Sequence, residues 1–135
     1  MSLTTNGANV QLNWTLTTGT APTRPTTWYV ALHTADPTEV GTTAELTTGQ
    51  ASTYARQAIT FGTSTTSSTS NTGTVSFSVG TVTGSVTVSH ISIWNSSSAT
   101  ASTNVYYYGS LSVAKTLSTG DTLTFATGEL IITQD

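Results

Sequence analysis

His33 and His90 are the only imidazoles in the chain, and Asp36 follows His33 by three residues. An imidazole beside a carboxylate is the base half of many hydrolytic sites, but it needs a nucleophile and an electrophile stabiliser next to it. Neither has a signature here. Serine is too plentiful to single one out, no G-x-S-x-G elbow occurs, and there is no cysteine to serve as a thiol nucleophile. The acidic residues form no strong paired-carboxylate setting of the kind that cleaves glycosidic bonds. The histidines lack the short spacing of zinc ligands, and no glycine-rich phosphate loop is present. Catalytic residues, cofactor-binding residues and metal ligands are therefore all assigned as none. Both histidines are expected to be packed and hydrogen-bonded.

Arg56 poses a different problem. It lies within the alternating run Tyr54 to Phe61, and a guanidinium buried without a partner is costly. Asp36 or Glu39 is the preferred partner and emergence at a subunit contact the alternative, while Glu39 and Glu45 otherwise read as solvated loop carboxylates. Trp14, Trp28 and Trp94 read as core or rim anchors. Tyr106, Tyr107 and Tyr108 cannot share one face of a strand, because successive side chains point to opposite sides. If Tyr107 joins the Val105 to Val113 face, Tyr106 and Tyr108 project together on the other. Such a pair suits a second layer, stacking on a glycan, or self-association with another copy.

These residues need strands to hold them. Trp28-Tyr29-Val30-Ala31-Leu32-His33-Thr34 is the densest apolar run in the first half, apolar on both faces and ended by Asp36-Pro37. Such a strand is expected to be central. Short alternating runs follow at Tyr54 to Phe61, Val75 to Val79, Val86 to Trp94, Val105 to Val113, Leu123 to Phe125 and Leu130 to Ile132. In the Val86 to Trp94 run the alternation changes phase, which implies either two covered faces or a bulge near Ser89 and His90. The pattern predicts an all-β fold of two packed sheets or a closed barrel, with Val30, Leu32, Phe61, Phe77, Ile93, Leu111, Leu123 and Phe125 largely buried. Gly62 to Gly73 is nearly all serine and threonine and reads as a flexible loop. In the first segment, apolar residues at 10, 12, 14 and 16 favour a strand over a helix by pattern alone.

With 135 residues the chain is expected to form one domain, 1–135, in which 1–27, including a proline-containing loop, packs on the sheets. Only 7% of residues are charged, the net charge is −3, and Arg24, Arg56 and Lys115 are the only Lys or Arg side chains. That composition argues against binding nucleic acid directly, which needs a basic surface, and gives no support for binding anionic membranes. No apolar run approaches the ~20 residues of a membrane span, and no secretory signal is visible at the amino terminus.

Several co-linear blocks resemble a family of small tailed-bacteriophage virion structural proteins, often labelled tail fiber. WYVALHTADPTEVGTTAEL and STYARQAITFG carry the family's pattern at Leu32, His33, Thr34, Ala35, Pro37, Glu45, Gly49, Tyr54, Ala55, Arg56 and Phe61. VSHISIWN matches at Val88, His90, Ile93 and Trp94, and YYYGSLSVAKTLSTGDTLTFATGEL at Gly109, Leu111, Lys115, Gly120, Asp121, Leu123, Phe125 and Gly128. Ser92 and Asn95 replace the family's more usual Gly and Asp. The resemblance implies a β-sandwich of jelly-roll type, opened by a short N-terminal helix loosely matched at Asn9, Leu12, Asn13 and Leu16. It also implies a non-enzymatic virion protein made in the host bacterial cytoplasm. A capsid decoration (cement) subunit bound to the major capsid protein is the preferred reading. The alternative is a tail or tail-fiber component that binds a receptor or glycan. Tyr106 and Tyr108 are the expected contact.

Overall fold

In the computed structural model, which describes residues 1–134, the chain runs through β1 (Ser2–Leu3), α1 (Thr5–Leu16), β2 (Trp28–His33), β3 (Gln57–Ile59) and β4 (Ser68–Ser70). It continues through β5 (Val75–Ser78), β6 (Val86–Trp94), β7 (Val105–Leu117), β8 (Thr122–Phe125) and β9 (Ile131–Thr133). The strands pair antiparallel, in a five-stranded sheet ordered β1-β7-β6-β2-β3 and two two-stranded ladders, β4-β9 and β5-β8. The fold is thus β-rich with several antiparallel sheets and one short helix, rather than all-β.

The apolar run at Trp28–His33 is interior, as its two-faced pattern predicts, between β6 and β3. Val30 and Leu32 enter the main core with Ile91, Ile93, Val75, Phe77, Leu123 and Phe125. Ala31 turns to the opposite face and packs with Trp94 and Val105. The phase change in β6 is a bulge: the pairing shifts between Val88 and His90, so that Val86, Val88, Ile91 and Ile93 all reach the same core. On β7 the same irregularity sets residues 111–114 against Ser89 alone. Leu111 is therefore only partly buried, against the expectation. Phe61 is also only partly buried, because it meets Asn71 through a single bridge outside any strand.

Two further expectations are corrected. Residues 9–16 belong to the short N-terminal helix that the resemblance implies, not to the strand that alternation alone favours. Thr4 caps that helix: its hydroxyl accepts the Gly7 N–H at 3.0 Å and donates to the Val105 carbonyl at 2.6 Å. Glycine inside a helix normally weakens it. At position 7, however, a Cβ would lie 2.2 Å from the Tyr106 carbonyl oxygen, so glycine lets α1 lie against β7. The apolar residues, read literally as alternating, are distributed around the helix instead.

The second correction concerns Gly62 to Gly73, which is not simply a loop. It supplies β4, paired to β9, and the buried Asn71. The Asn71 amide donates to the carbonyls of Gly73 at 2.7 Å and Ala126 at 2.9 Å, and its oxygen accepts the Leu130 N–H at 2.9 Å. One asparagine ties the serine-rich segment to the approach to β9.

Candidate functional site

The residues with the most chemical potential come together in one interior network. Arg56 does not pair with Asp36 or Glu39. Its Nε and Nη2 donate to Glu45 at 2.8 and 2.7 Å, while Nη1 donates to the carbonyls of Ser96 at 3.1 Å and Ala99 at 2.8 Å. Its side chain is 6% exposed and that of Glu45 21%. Glu45 is thus a half-buried partner rather than a solvated loop carboxylate. Asp36 instead accepts the Thr38 N–H in its own turn. The guanidinium lies flat enough over Trp94 to put its carbon 3.4 Å from the ring centre. The hydrogen bonds join the Glu45 segment to the loop after β6, and the cation is closed off from solvent.

Tyr54 extends the network. Its hydroxyl donates to Glu45 at 3.0 Å and accepts the Leu32 N–H at 3.1 Å. β3 pairs with β2 only from Trp28 to Val30, so this hydroxyl satisfies a strand N–H that β3 does not reach. Burial, aided by the neighbouring Glu45 carboxylate, pushes the Tyr54 phenol far above its ordinary value.

His33 is fully buried. Its Nδ1 lies 2.7 Å from the Thr43 carbonyl, which can only accept, so Nδ1 carries the proton. Nε2 then accepts from the Ser92 hydroxyl at 2.7 Å, and Ser92 in turn accepts the Trp94 indole N–H at 2.7 Å. Burial lowers the His33 pKa and outweighs the Thr43 bond, which acts the other way. In this setting the ring is neutral, with both nitrogens engaged. His90 pairs across from His33 and meets Ser89 through Nδ1 at 2.9 Å. Among the described residues, no three His, Asp or Glu gather in a metal-binding group.

The three tyrosines do not alternate simply. A second bulge sets Trp94 opposite Val105 and Ile93 opposite Tyr107, leaving Tyr106 as the extra residue. Tyr106 packs edge-on against Trp28, ring centres 4.9 Å apart. Tyr107 joins the main core, and its hydroxyl accepts from Gln11 at 2.8 Å. Tyr108 pairs with Ser2 and Ser92. Tyr106 and Tyr108 are both half-buried and have different surroundings.

Tyr106 instead lines an open cleft of about 420 Å³ between α1, the Thr23–Pro25 stretch and the sheet. Trp14 and Trp28 form aromatic walls, with Gln11 and Arg24 also lining it. The Trp14 indole is held by its N–H donating to the Pro22 carbonyl at 2.7 Å. Sequence reasoning missed Trp14 and Arg24 as neighbours here because a helix, not a strand, brings residues 11 and 14 to the same side. The Glu45 partnership had a faint signal, the spacing of Glu45 from Tyr54 and Arg56 within the resembling blocks, but nothing in alternation selects it.

A family model described as podophage GP4 fiber I protein gp80 matches residues 2–133. No curated protein matches the chain.

Proposed function

Because the chain belongs to this podophage fiber family, and is accordingly a non-enzymatic, virion-associated structural protein, we propose that it serves as a tail-fiber component. The match over residues 2–133 carries this reading. A fiber description favours tail-related partners over the major capsid protein, and so the alternative drawn from the sequence over capsid decoration. The chain is made in the host cytoplasm and acts as one domain, 1–135. Its sheet and two ladders, sharing one core, support a jelly-roll-like sandwich. Separating particles into heads and tails and identifying proteins by mass spectrometry tests the assignment. The chain should travel with tails; recovery with emptied heads in capsid-like copy number would return the reading to decoration.

The aromatic cleft supports a receptor-contacting role within the same reading. Trp14 and Trp28 offer apolar surface and Arg24 a cation, the combination that suits a pyranose ring with its apolar face and its oxygen-rich rim. Quenching of indole fluorescence by host surface polysaccharide, absent in Trp28→Ala, is the expected result.

A further inference from the structure

The aromatic cleft does not end at Trp28. Arg24, Pro25, Trp28 and Tyr107 line it, and the same four line a second cleft, of about 950 Å³, that reaches the serine-rich segment at Thr63 and Ser64. The two are therefore halves of one trough. Ile59, Ile93 and Ile132, all members of the main core, line the second half. Trp28 is held in place between them, paired across from Ile59 on β3 and edge-on to Tyr106. Either half alone is of a size that takes a small ligand, so the trough suits a run of several sugar rings rather than one.

The charge along this trough has one sign. Of the three Lys or Arg side chains in the chain, Arg56 is closed off with Glu45, and Lys115 lines a separate cleft that also holds Glu129. Arg24 is exposed, stands where the two halves of the trough meet, and makes no ion pair among the described residues. The chain has six Asp or Glu side chains and a net charge of −3, yet among the described residues none of these carboxylates lines either half. An anion approaching a net-negative protein therefore meets here one cation and no lining carboxylate to repel it.

We infer that the trough binds a segment of acidic polysaccharide several residues long, with a sugar carboxylate seated on Arg24. The inference rests on the receptor-contacting reading above and names the class of glycan. A guanidinium fork takes both oxygens of a carboxylate, which a point charge does not. A uronic acid carries its carboxylate at the edge of the pyranose ring, so its apolar face can lie on Trp28 while its edge meets Arg24. Thr26, Thr63 and Ser64 bring hydroxyls that both donate to and accept from the remaining sugar oxygens. A neutral glycan would use the aromatic walls and leave the cation idle. A nucleic acid would need a row of cations where the trough has one.

The probe is a hexameric oligogalacturonate, compared with its fully methyl-esterified form, which keeps the same rings without the charge. In indole fluorescence titrations of the full-length chain the acid should bind at least about tenfold more tightly than the ester. Added salt should weaken the acid and spare the ester, and the acid's disaccharide should bind more weakly than its hexamer. Arg24→Gln should bring the acid down to the ester's affinity without lowering the melting temperature, because the side chain is exposed. Equal wild-type affinity for acid and ester, or a preference that survives Arg24→Gln, would overturn the inference and leave the receptor-contacting reading standing. No binding of either form would also overturn it. Host surface polysaccharide that still quenched the indoles would then keep the receptor reading for another class of glycan, and no quenching would remove that reading too. Should the variant misfold, the wild-type comparison of acid with ester still decides.

Discussion

The Arg56 guanidinium carbon sits 3.4 Å from the centre of the Trp94 ring, with Glu45 gripping two of its nitrogens. Little of this cation is left for solvent, its side chain being 6% exposed. Its four donated bonds, two to Glu45 and two to the carbonyls of Ser96 and Ala99, make it a fastener for the loop after β6.

Arg56→Ala should therefore destabilise the fold by about 3–5 kcal/mol, since it leaves Glu45 half-buried without its cation. Arg56→Lys should recover only part of this, because a point charge cannot grip both carboxylate oxygens while stacking on an indole. Urea denaturation measures both. Equal stability of the lysine variant and wild type would show that charge alone matters.

Asn71→Ala should cost about 2–4 kcal/mol, because it leaves two carbonyls and the Leu130 N–H without their partner. Alanine at Thr63 or Ser64, both exposed, should change stability by no more than about 0.5 kcal/mol. The contrast within one low-complexity run is the informative quantity, read from denaturant midpoints.

Gly41 has φ +79°, and a Cβ there would lie 2.5 Å from Val105 Cγ1. Gly41→Ala meets both backbone strain and a clash in the packing around Trp94 and Val105. A loss of about 2 kcal/mol or more is expected, visible as a lower melting temperature. An unchanged melting temperature would mean that the 38–41 turn can move away from β7.

Acid should weaken the fold through His33. Burial holds its folded pKa below the ordinary 6.5, while Glu45, Arg56 and His90 are the charged or titratable groups acting on it. Between those two values the unfolded chain takes up a proton that the folded chain refuses. The stabilisation is present above about pH 6.5 and is lost as pH falls below it. Urea midpoints should drop between about pH 7.5 and 5.5, and His33→Gln should flatten that dependence even if it lowers stability throughout.

Much of the fold was legible from alternation. The central strand and most of the core followed from where Val30, Leu32, Phe77, Ile93, Leu123 and Phe125 fall. Alternation left two covered faces and a bulge near Ser89 as alternatives, between which the register of β6 on β7 decides for the bulge. What alternation does not encode is tertiary rescue. Residues 9–16 look like a strand because apolar residues alternate at 10, 12, 14 and 16, yet the Thr4 cap and the close approach of Gly7 to β7 stabilise a helix. Asn71 is invisible among serines and threonines because its value lies mostly in two partners far along the chain, Ala126 and Leu130. The Tyr106 and Tyr108 pairing failed for a similar reason: a single bulge residue changes which side of a strand each ring takes.

The most direct test of the tail-fiber assignment is a reconstruction of the intact particle at a resolution that shows strands. Density for this fold, with α1 beside β7, is expected on the tail, in a copy number set by tail symmetry. The same density repeated across the outer surface of the head, and absent from the tail, would contradict the account.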